Sequence, residues 1–462
     1  MSICRPATTL FVGAASLVFS TCKPKTEEHA VTSKPVQIIT VDPGHFHAAL
    51  VQKSMYGDVD STVHVYAPAG PDVDMHLTRI DNFNKRADQP TRWNEVVYTG
   101  ADFFDKAISE KKGNVIVLAG NNEKKTEYIA RSIDAGFNVL GDKPMAIDAK
   151  GFDLLKTAFT QAASKNLLLY DVMTERYEIT TILQKELSQL PEVFGTLEPG
   201  TPDNPSVTKE SVHHFFKYVS GSILTRPPWF MDVKQEGEGI VDVTTHLVDL
   251  VQWECFPEQS IDYTKDIEIG KSKRTKTKMT LSQFKAITKL EAFPEYLKPD
   301  VKSDTILEVY SNGEINYKIK DVHARVSVIW NYAAPEGAGD THYSIMRGTK
   351  ANLVIRQGKE EQFKPTLYIE PLKADQFEAV LTEQFKKIQE KHAGVELKKN
   401  AKGWEVVIPE QYKEGHEAHF ARVMEKFLEY LKDRNMPAWE VPNMLAKYYT
   451  TTKALEVAVK EP

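Results

Sequence analysis

Three stretches of this 462-residue chain carry side chains able to move a proton or hold a charged ligand. Asp142-Lys143-Pro144 follows Gly141 at the end of an apolar run, Asn138-Val139-Leu140. A lysine at the carboxyl end of a parallel strand stands beside the crevice where open α/β sheets bind ligands, and Pro144 fixes the backbone that aims it. Taken alone, the tripeptide also reads as a surface turn. The second stretch is Gly237-Glu238-Gly239-Ile240-Val241-Asp242-Val243-Thr244-Thr245-His246-Leu247-Val248-Asp249. A helix starting near Ile240 puts Asp242 and His246 at i and i+4 on one face. There a carboxylate tunes an imidazole for general acid–base work, and Asp249 can orient the ring from the other side. The plainer alternative is a capped amphipathic helix with one satisfied histidine.

The third stretch is the strand-to-helix turn Val41-Asp42-Pro43-Gly44-His45-Phe46-His47-Ala48. In a dinucleotide-binding turn, glycine lets the backbone approach a pyrophosphate while helix N–H groups receive its charge. Gly44 keeps the middle glycine of G-x-G-x-x-G, whereas Asp42 and His47 replace the first and third. Asp42 either brings negative charge to the phosphate position or orients main-chain amides. The nearest ribose-binding acid is Asp72, several residues late. Ala119-Gly120-Asn121-Asn122 closes a later strand and opens a helix, a second place where main-chain groups meet a cofactor.

Two further clusters suit a sugar. His213-His214-Phe215 lies on a strand, and Arg226-Pro227-Pro228-Trp229-Phe230 supplies aromatic faces that stack on pyranose C–H surfaces; core packing is the alternative. His416 and His419 flank Glu417 without the H-E-x-x-H spacing, so no metal is expected.

The elements around these residues follow a βαβ rhythm. Strands are expected at Val36–Val41, Val63–Tyr66, Asn114–Ala119, Asn138–Leu140 and Leu167–Tyr170. Helices are expected over His47–Met55, Phe103–Ile108, Lys124–Ala135 and Ala149–Ser164. That alternation implies a parallel sheet covered on both faces. After about residue 200 the pattern alternates at Ser211–Val219 and Ala324–Trp330, and Thr305–Tyr310 and Glu314–Ile319 flank an Asn312-Gly313 hairpin signal. An antiparallel sheet follows. The tail from Glu414 is helical, with Phe420, Val423, Phe427, Leu428 and Leu431 on one stripe. Lys271–Lys278 reads as a solvated loop or an edge strand.

In this order, the segments resemble the glucose–fructose oxidoreductase, inositol dehydrogenase and rhizopine-catabolism (Gfo/Idh/MocA) family over most of residues 36–360. That family has Ala-Thr-Pro-Asn at a strand end, then Glu-Lys-Pro, then Gly-Gly-Gly with Asp, His and Asp on a helix. This chain has Ala119-Gly120-Asn121-Asn122, Asp142-Lys143-Pro144, and Gly237-Glu238-Gly239 through Asp242, His246 and Asp249. Glu175-Arg176-Tyr177 resembles the family's Arg-Arg-Phe, and Arg347–Leu353 its late Gly-Thr turn.

The resemblance implies an α/β protein: a Rossmann parallel sheet over residues 36–170 and a substrate-binding α+β domain with a large, open, mostly antiparallel sheet over 171–462. It implies NAD or NADP held around Asp42, Gly44, His45, Phe46, Ala119, Asn121, Asn122, Asp142 and Lys143. Lys143 would polarise a sugar or cyclitol hydroxyl, His246 would exchange its proton, and Asp242 would tune the pair. Arg176, Tyr177, His214, Trp229 and Asp249 would face substrate. Besides net oxidation, two readings stay open: NAD-dependent glycoside hydrolysis or elimination through transient oxidation, and a noncatalytic carbohydrate-binding protein.

Composition bounds the partners. With 41% hydrophobic and 26% charged residues, the chain is neither disordered nor a multi-span membrane protein. A formal net charge of −6 argues against nucleic acid. Arg5, the short apolar Ala7–Phe19 and Ser20-Thr21-Cys22 resemble a lipoprotein-type signal over residues 1–22, with a polar tether over 23–35. An exported protein anchored in the bacterial envelope through a Cys22 lipid is expected; an ordinary cleaved signal is the alternative. Export separates the enzyme from a free NAD pool, so the cofactor would have to be tightly held. Cys255 is left without a disulfide partner. An open sheet face makes a homo-oligomer the expected assembly.

Overall fold

Short β-branched runs build the first sheet. Strands β1 (Ile38–Val41), β2 (Thr62–Ala67), β3 (Asn94–Thr99), β4 (Val115–Leu118), β5 (Asn138–Asp142) and β6 (Leu169–Val172) pair in parallel in the order β3-β2-β1-β4-β5-β6. Helices α1 (His47–Val51), α2 (Pro71–Lys85), α3 (Phe103–Glu110), α4 (Lys125–Asp134) and α5 (Ala149–Ser164) cross between them. Every residue of β1, β4, β5 and β6 is buried, as a sheet packed on both faces requires. Strand order reverses between β1 and β4, which places the ligand crevice at their carboxyl ends. The computed structural model describes residues 36–219, 222–336 and 338–460. The signal, Cys22 and the tether lie outside the described residues. Among those described, no helix is long and apolar enough to cross a membrane.

Chain order continues with α6 (Ile179–Ser188), β7 (Val207–Phe216), the short pair β8 (Tyr218–Val219) and β9 (Ser222–Ile223), and α7 (Thr244–Cys255). Then come β10 (Ile267–Thr280), α8 (Leu281–Thr288), β11 (Val301–Lys302), β12 (Ile306–Ile319), β13 (Val322–Ala333), β14 (Thr341–Arg347), β15 (Ala351–Arg356) and β16 (Thr366–Pro371). Helix α9 (Phe377–Lys391), β17 (Glu396–Lys399), β18 (Trp404–Val407), α10 (His416–Asp433) and α11 (Glu440–Lys460) complete it. The second sheet runs β10-β12-β13-β7-β14-β15-β16-β18-β17, antiparallel except where β13 meets β7. The basic Lys271–Lys278 stretch lies in edge strand β10.

Two expectations at this level need correction. Asn312-Gly313 does not turn: β12 runs straight through it, with inward and outward side chains alternating from end to end. Gly313 is needed for a different reason. A Cβ there would lie 2.5 Å from the Ile240 Cα, and one on Gly239 would lie 1.8 Å from the Ser311 carbonyl oxygen. These glycines let the segment entering α7 dock on the β12 backbone. The Asn312 carboxamide instead accepts the Trp330 backbone N–H at 2.7 Å. Helix α1 also ends at Val51, short of Met55.

The C-terminal helices return to the first sheet. Phe420, Val423, Met424 and Phe427 of α10 are buried in the same core as β1–β6, and Leu428 and Leu431 pack against it. Helix α11 gives Met444 and Tyr448 to that core and Ala446, Ala454 and Ala458 to the core of the second sheet. Phe427→Ala is therefore expected to cost about 3–5 kcal/mol of unfolding free energy, and Leu428→Ala markedly less. Denaturant unfolding of the two variants checks this; equal costs would place α10 outside the core.

Candidate active site

The end of β5 and the entry to α7 meet through one ion pair. The Lys143 ammonium donates to Asp242, with side chains 9% and 6% exposed. Burial alone would lower the Lys143 pKa, but Asp242, Asp142 and Glu236 outweigh it and hold the pKa above the ordinary lysine value. The group is an ammonium at neutral pH. His246, in the first turn of α7, goes the other way: burial, then the Lys143, His416 and His47 charges, push its pKa well below the ordinary value. Its Nδ1 is buried without a hydrogen-bond partner. A fixed cation and a neutral imidazole thus share one crevice. Asp242 sits in the turn preceding α7 and serves Lys143, not His246.

The turn after β1 explains its unusual residues. Asp42 has φ of 48°, a left-handed conformation that favours glycine but that aspartate tolerates. A Cβ on Gly120 would lie 1.9 Å from the Asp42 carbonyl oxygen, so the ends of β1 and β4 come as close as backbones can. His45 N–H donates to the Ala119 carbonyl at 3.1 Å. A Cβ on Gly44 would meet Trp229 at 2.9 Å and the Asp72 carboxylate at 3.0 Å. Trp229 Nε1 donates to Asp72 at 2.7 Å. Farther along, Asn121 Nδ2 donates to Gln235 Oε1 at 2.7 Å, and Asn122 Nδ2 donates to the Glu236 carbonyl at 2.8 Å. The segment from Trp229 to Glu236 therefore lies as a strap across the carboxyl edge of the first sheet. Beneath it, Asn122 Oδ1 is buried without a partner.

The acid of the Asp-Lys-Pro motif is turned back on the first turn. His47 Nδ1 donates to Asp142 Oδ2 at 2.9 Å, and His45 Nδ1 lies 3.5 Å from the same oxygen. Lys125 Nζ donates to the Asp142 carbonyl at 3.2 Å. Phe46 packs against the two imidazoles, tilted to His45 and edge-on to His47, with centroids 4.6 and 4.5 Å away. Phe46 and His416 also line a cavity of about 1520 Å³ walled by α1, α2 and the start of α10.

Other expected substrate residues are engaged within the protein. Arg176 and Asp249 do not face a ligand: the guanidinium donates twice to Asp249 at 2.7 Å and twice to Glu440 at 3.1 Å. Lys447 joins Asp249 to Asp171, at 2.8 and 2.7 Å. This buried network ties α7 and α11 to β6, so Asp249 does not orient His246. Tyr177 packs against the first core, where burial raises its pKa to about 12. His214 Nδ1 donates to Asp340 at 3.0 Å, alongside His213 at 3.2 Å and Lys217 at 2.8 Å. Arg226 props β7 by donating to the Phe215 and His214 carbonyls.

Sequence reasoning missed Lys125, Glu236, Lys217 and Asp340, and gave Glu175 no role beyond its place in Glu175-Arg176-Tyr177. Glu236 could have been noticed as an acid directly before the glycine run. Burial and Asp242 raise its pKa well above the carboxylate range. Glu175, near Lys143 and His213, is raised by burial, and it meets His416 Nδ1 at 3.4 Å. No local pattern signals that the tail returns His416 to this place.

Burial and the Asp72 charge raise the Asp42 pKa from 3.8 to about 6, against Lys124 and Lys125. The protonated carboxyl suits the fold, so its contribution is complete below pH 4 and is lost as pH rises through 6. Asp42→Asn should be more stable than wild type above pH 6, by at most about 3 kcal/mol, and equal to it below pH 4. Melting curves at several pH values check this; a constant offset would contradict it.

Residues 183–459 match the family described as "Putative oxidoreductase C terminal domain". A "putative oxidoreductase" from Parabacteroides merdae has a solved structure with 57% identity, covering 93% of this chain and 98% of that one, with a TM-score of 0.91. Levoglucosan dehydrogenase in complex with NADH and levoglucosan is 11% identical, covering 92% and 98%, with a TM-score of 0.59. A "putative myo-inositol dehydrogenase" from Sinorhizobium meliloti is also 11% identical, covering 92% and 98%, with a TM-score of 0.54. Those two likenesses are of fold. A search of curated proteins finds no match.

Proposed function

The chain belongs to the Gfo/Idh/MocA family of oxidoreductases, and on that premise we propose that it oxidises a hydroxyl of a sugar or cyclitol with a tightly held NAD. The observation that carries this is the pairing of a charged Lys143 with a neutral His246 beside the crevice of the first sheet. The dinucleotide-binding relatives of this fold, among them the levoglucosan dehydrogenase with NADH, supply the cofactor class.

The residues fit such a group in specific ways. Gly44 and Gly120 bring main chain to the crevice floor, and the unpartnered Asn122 Oδ1 lacks a donor. Asp72, beside Gly44, offers a carboxylate to ribose hydroxyls and would repel a ribose phosphate, which favours NAD over NADP. Trp229 must then release Asp72. The strap from Trp229 to Glu236 supports a cofactor that is retained and recycled, as an exported enzyme needs.

Bound NAD supplies the hydride acceptor. Lys143, steadied by Asp242, donates a hydrogen bond to the reacting oxygen and stabilises its negative charge as the proton leaves. His246 takes that proton onto its imidazole, whose Nδ1 is unpaired within the protein. Because the His246 pKa is depressed, the base is in its accepting form throughout the neutral range, so its acid limb in kcat/KM should lie below pH 6.5.

Lys143→Ala and His246→Ala should each lower kcat by about 100- to 10,000-fold while the denatured variants still release the dinucleotide, identified by mass. Release of NADP, or of no dinucleotide from wild type, would reject the cofactor reading. Unchanged turnover in both variants would reject the enzymatic one.

Glu175 favours a second reading. A half-buried carboxyl near Lys143, its pKa raised by burial, is placed to give a proton to a leaving oxygen, so transient oxidation could end in elimination with the hydride returned. Cleaved glycoside without accumulated NADH distinguishes it. The Cys22 segment supports anchoring in the cell envelope; Cys22→Ala should move the protein from the membrane to the soluble fraction.

A further inference from the structure

We propose that His45, His47 and Asp142 bind one divalent transition-metal ion at the rim of the crevice. The proposal goes beyond the redox reading, and the site stands without it.

The ligand atoms already converge. One ring nitrogen from each histidine and one carboxylate oxygen lie within 4.8 Å of one another. Both Nδ1 atoms address the same Asp142 oxygen, at 2.9 and 3.5 Å. Ligands about 2.0–2.2 Å from a tetrahedral ion stand roughly 3.3–3.5 Å apart. Small side-chain rotations bring the set to that spacing. On binding, the ion takes the lone pair of His47 Nδ1, whose proton passes to Nε2 so that the imidazole stays neutral.

The site is built from rigid parts. His45 lies in the turn after β1 and His47 opens α1, and the turn is held to β4 by the bond from His45 N–H to Ala119. Asp142 ends β5, and its other oxygen accepts the Lys143 N–H at 3.0 Å, the kind of outer contact that aims a ligating carboxylate. Phe420 packs 4.6 Å from the His47 ring and Phe230 6.2 Å from the His45 ring, giving the apolar shell common around such centres. Of the nearby ammoniums, Lys143 is paired with Asp242 and Lys125 donates to the Asp142 carbonyl at 3.2 Å.

Two imidazoles and one carboxylate suit zinc, iron(II), cobalt(II) or manganese(II) better than calcium or magnesium. Three protein ligands leave a position open for water or another oxygen. The site also answers a difficulty in the turn. Asp42 and Asp72 make the phosphate position acidic; a dication one residue beyond Gly44 restores positive charge there. That consequence alone rests on the NAD reading.

The test uses the full chain, stripped with a chelator and titrated with cobalt(II) alone. Expected are one equivalent bound, visible ligand-field bands and a higher melting temperature. His45→Ala, His47→Ala and Asp142→Asn should each weaken binding at least about 100-fold, with far-UV circular dichroism confirming that the variants are folded; His416→Ala should bind as wild type does. Should one variant fail to fold, anomalous scattering from a cobalt-soaked wild-type crystal locates the ion directly. No cobalt at micromolar concentrations in wild type, an ion located elsewhere, or undiminished binding in both histidine variants overturns the proposal. Dinucleotide release, measured by mass on the same samples, separates this failure from failure of the NAD reading.

Discussion

The buried pair between Lys143 and Asp242 is the constraint on which the molecule turns. Two charges removed from water cost several kcal/mol each, and they recover it only when held in good geometry. The partners lie 99 residues apart in the chain, one just after β5 and the other in the turn before α7. Keeping them together requires the entry to α7 to press against β12, and Gly239 and Gly313 allow that because neither has a Cβ to stand in the way. Loss of either partner would leave a bare charge in the interior, so the chemistry of the site and the stability of the fold are the same requirement at this point.

Other buried charges serve as ties. Arg176, Asp249, Glu440, Lys447 and Asp171 form a continuous network in which each charge has a partner of opposite sign. Lys209 does the same with Glu254 beneath the second sheet, at 2.9 Å. Apolar residues would fill such places at less desolvation cost. The ions add directionality: an arginine fork meets two carboxylates in one arrangement, fixing how α7 and α11 sit against β6.

The network also shows what was legible in the sequence. The strand–helix rhythm of residues 36–170 could be read because parallel strands are apolar along their whole length. Lys143, Asp242 and His246 could be read because local spacing placed each at an element's end. Arg176 and Asp249 misled because a charged residue near a crevice looks the same in sequence whether its partner is a substrate or Glu440, 264 positions on. Asn312-Gly313 misled because the dipeptide that makes a tight turn is also the one that lets another backbone pass. Strand β3, exposed along most of its length, and the polar helix α2 carry too little apolar pattern to be seen.

The packing of α10 against the first sheet has a consequence for how the chain is made. Phe420, Val423, Met424 and Phe427 close a core begun by Ile38 and Ile39, nearly four hundred residues earlier. A ribosome delivers those residues long after the strands they cover. Until they arrive, the first sheet carries an uncovered apolar surface, and its docking with α10 is a closure across nearly four hundred residues of chain. Assembly of the older half of the molecule thus waits for synthesis of the newest.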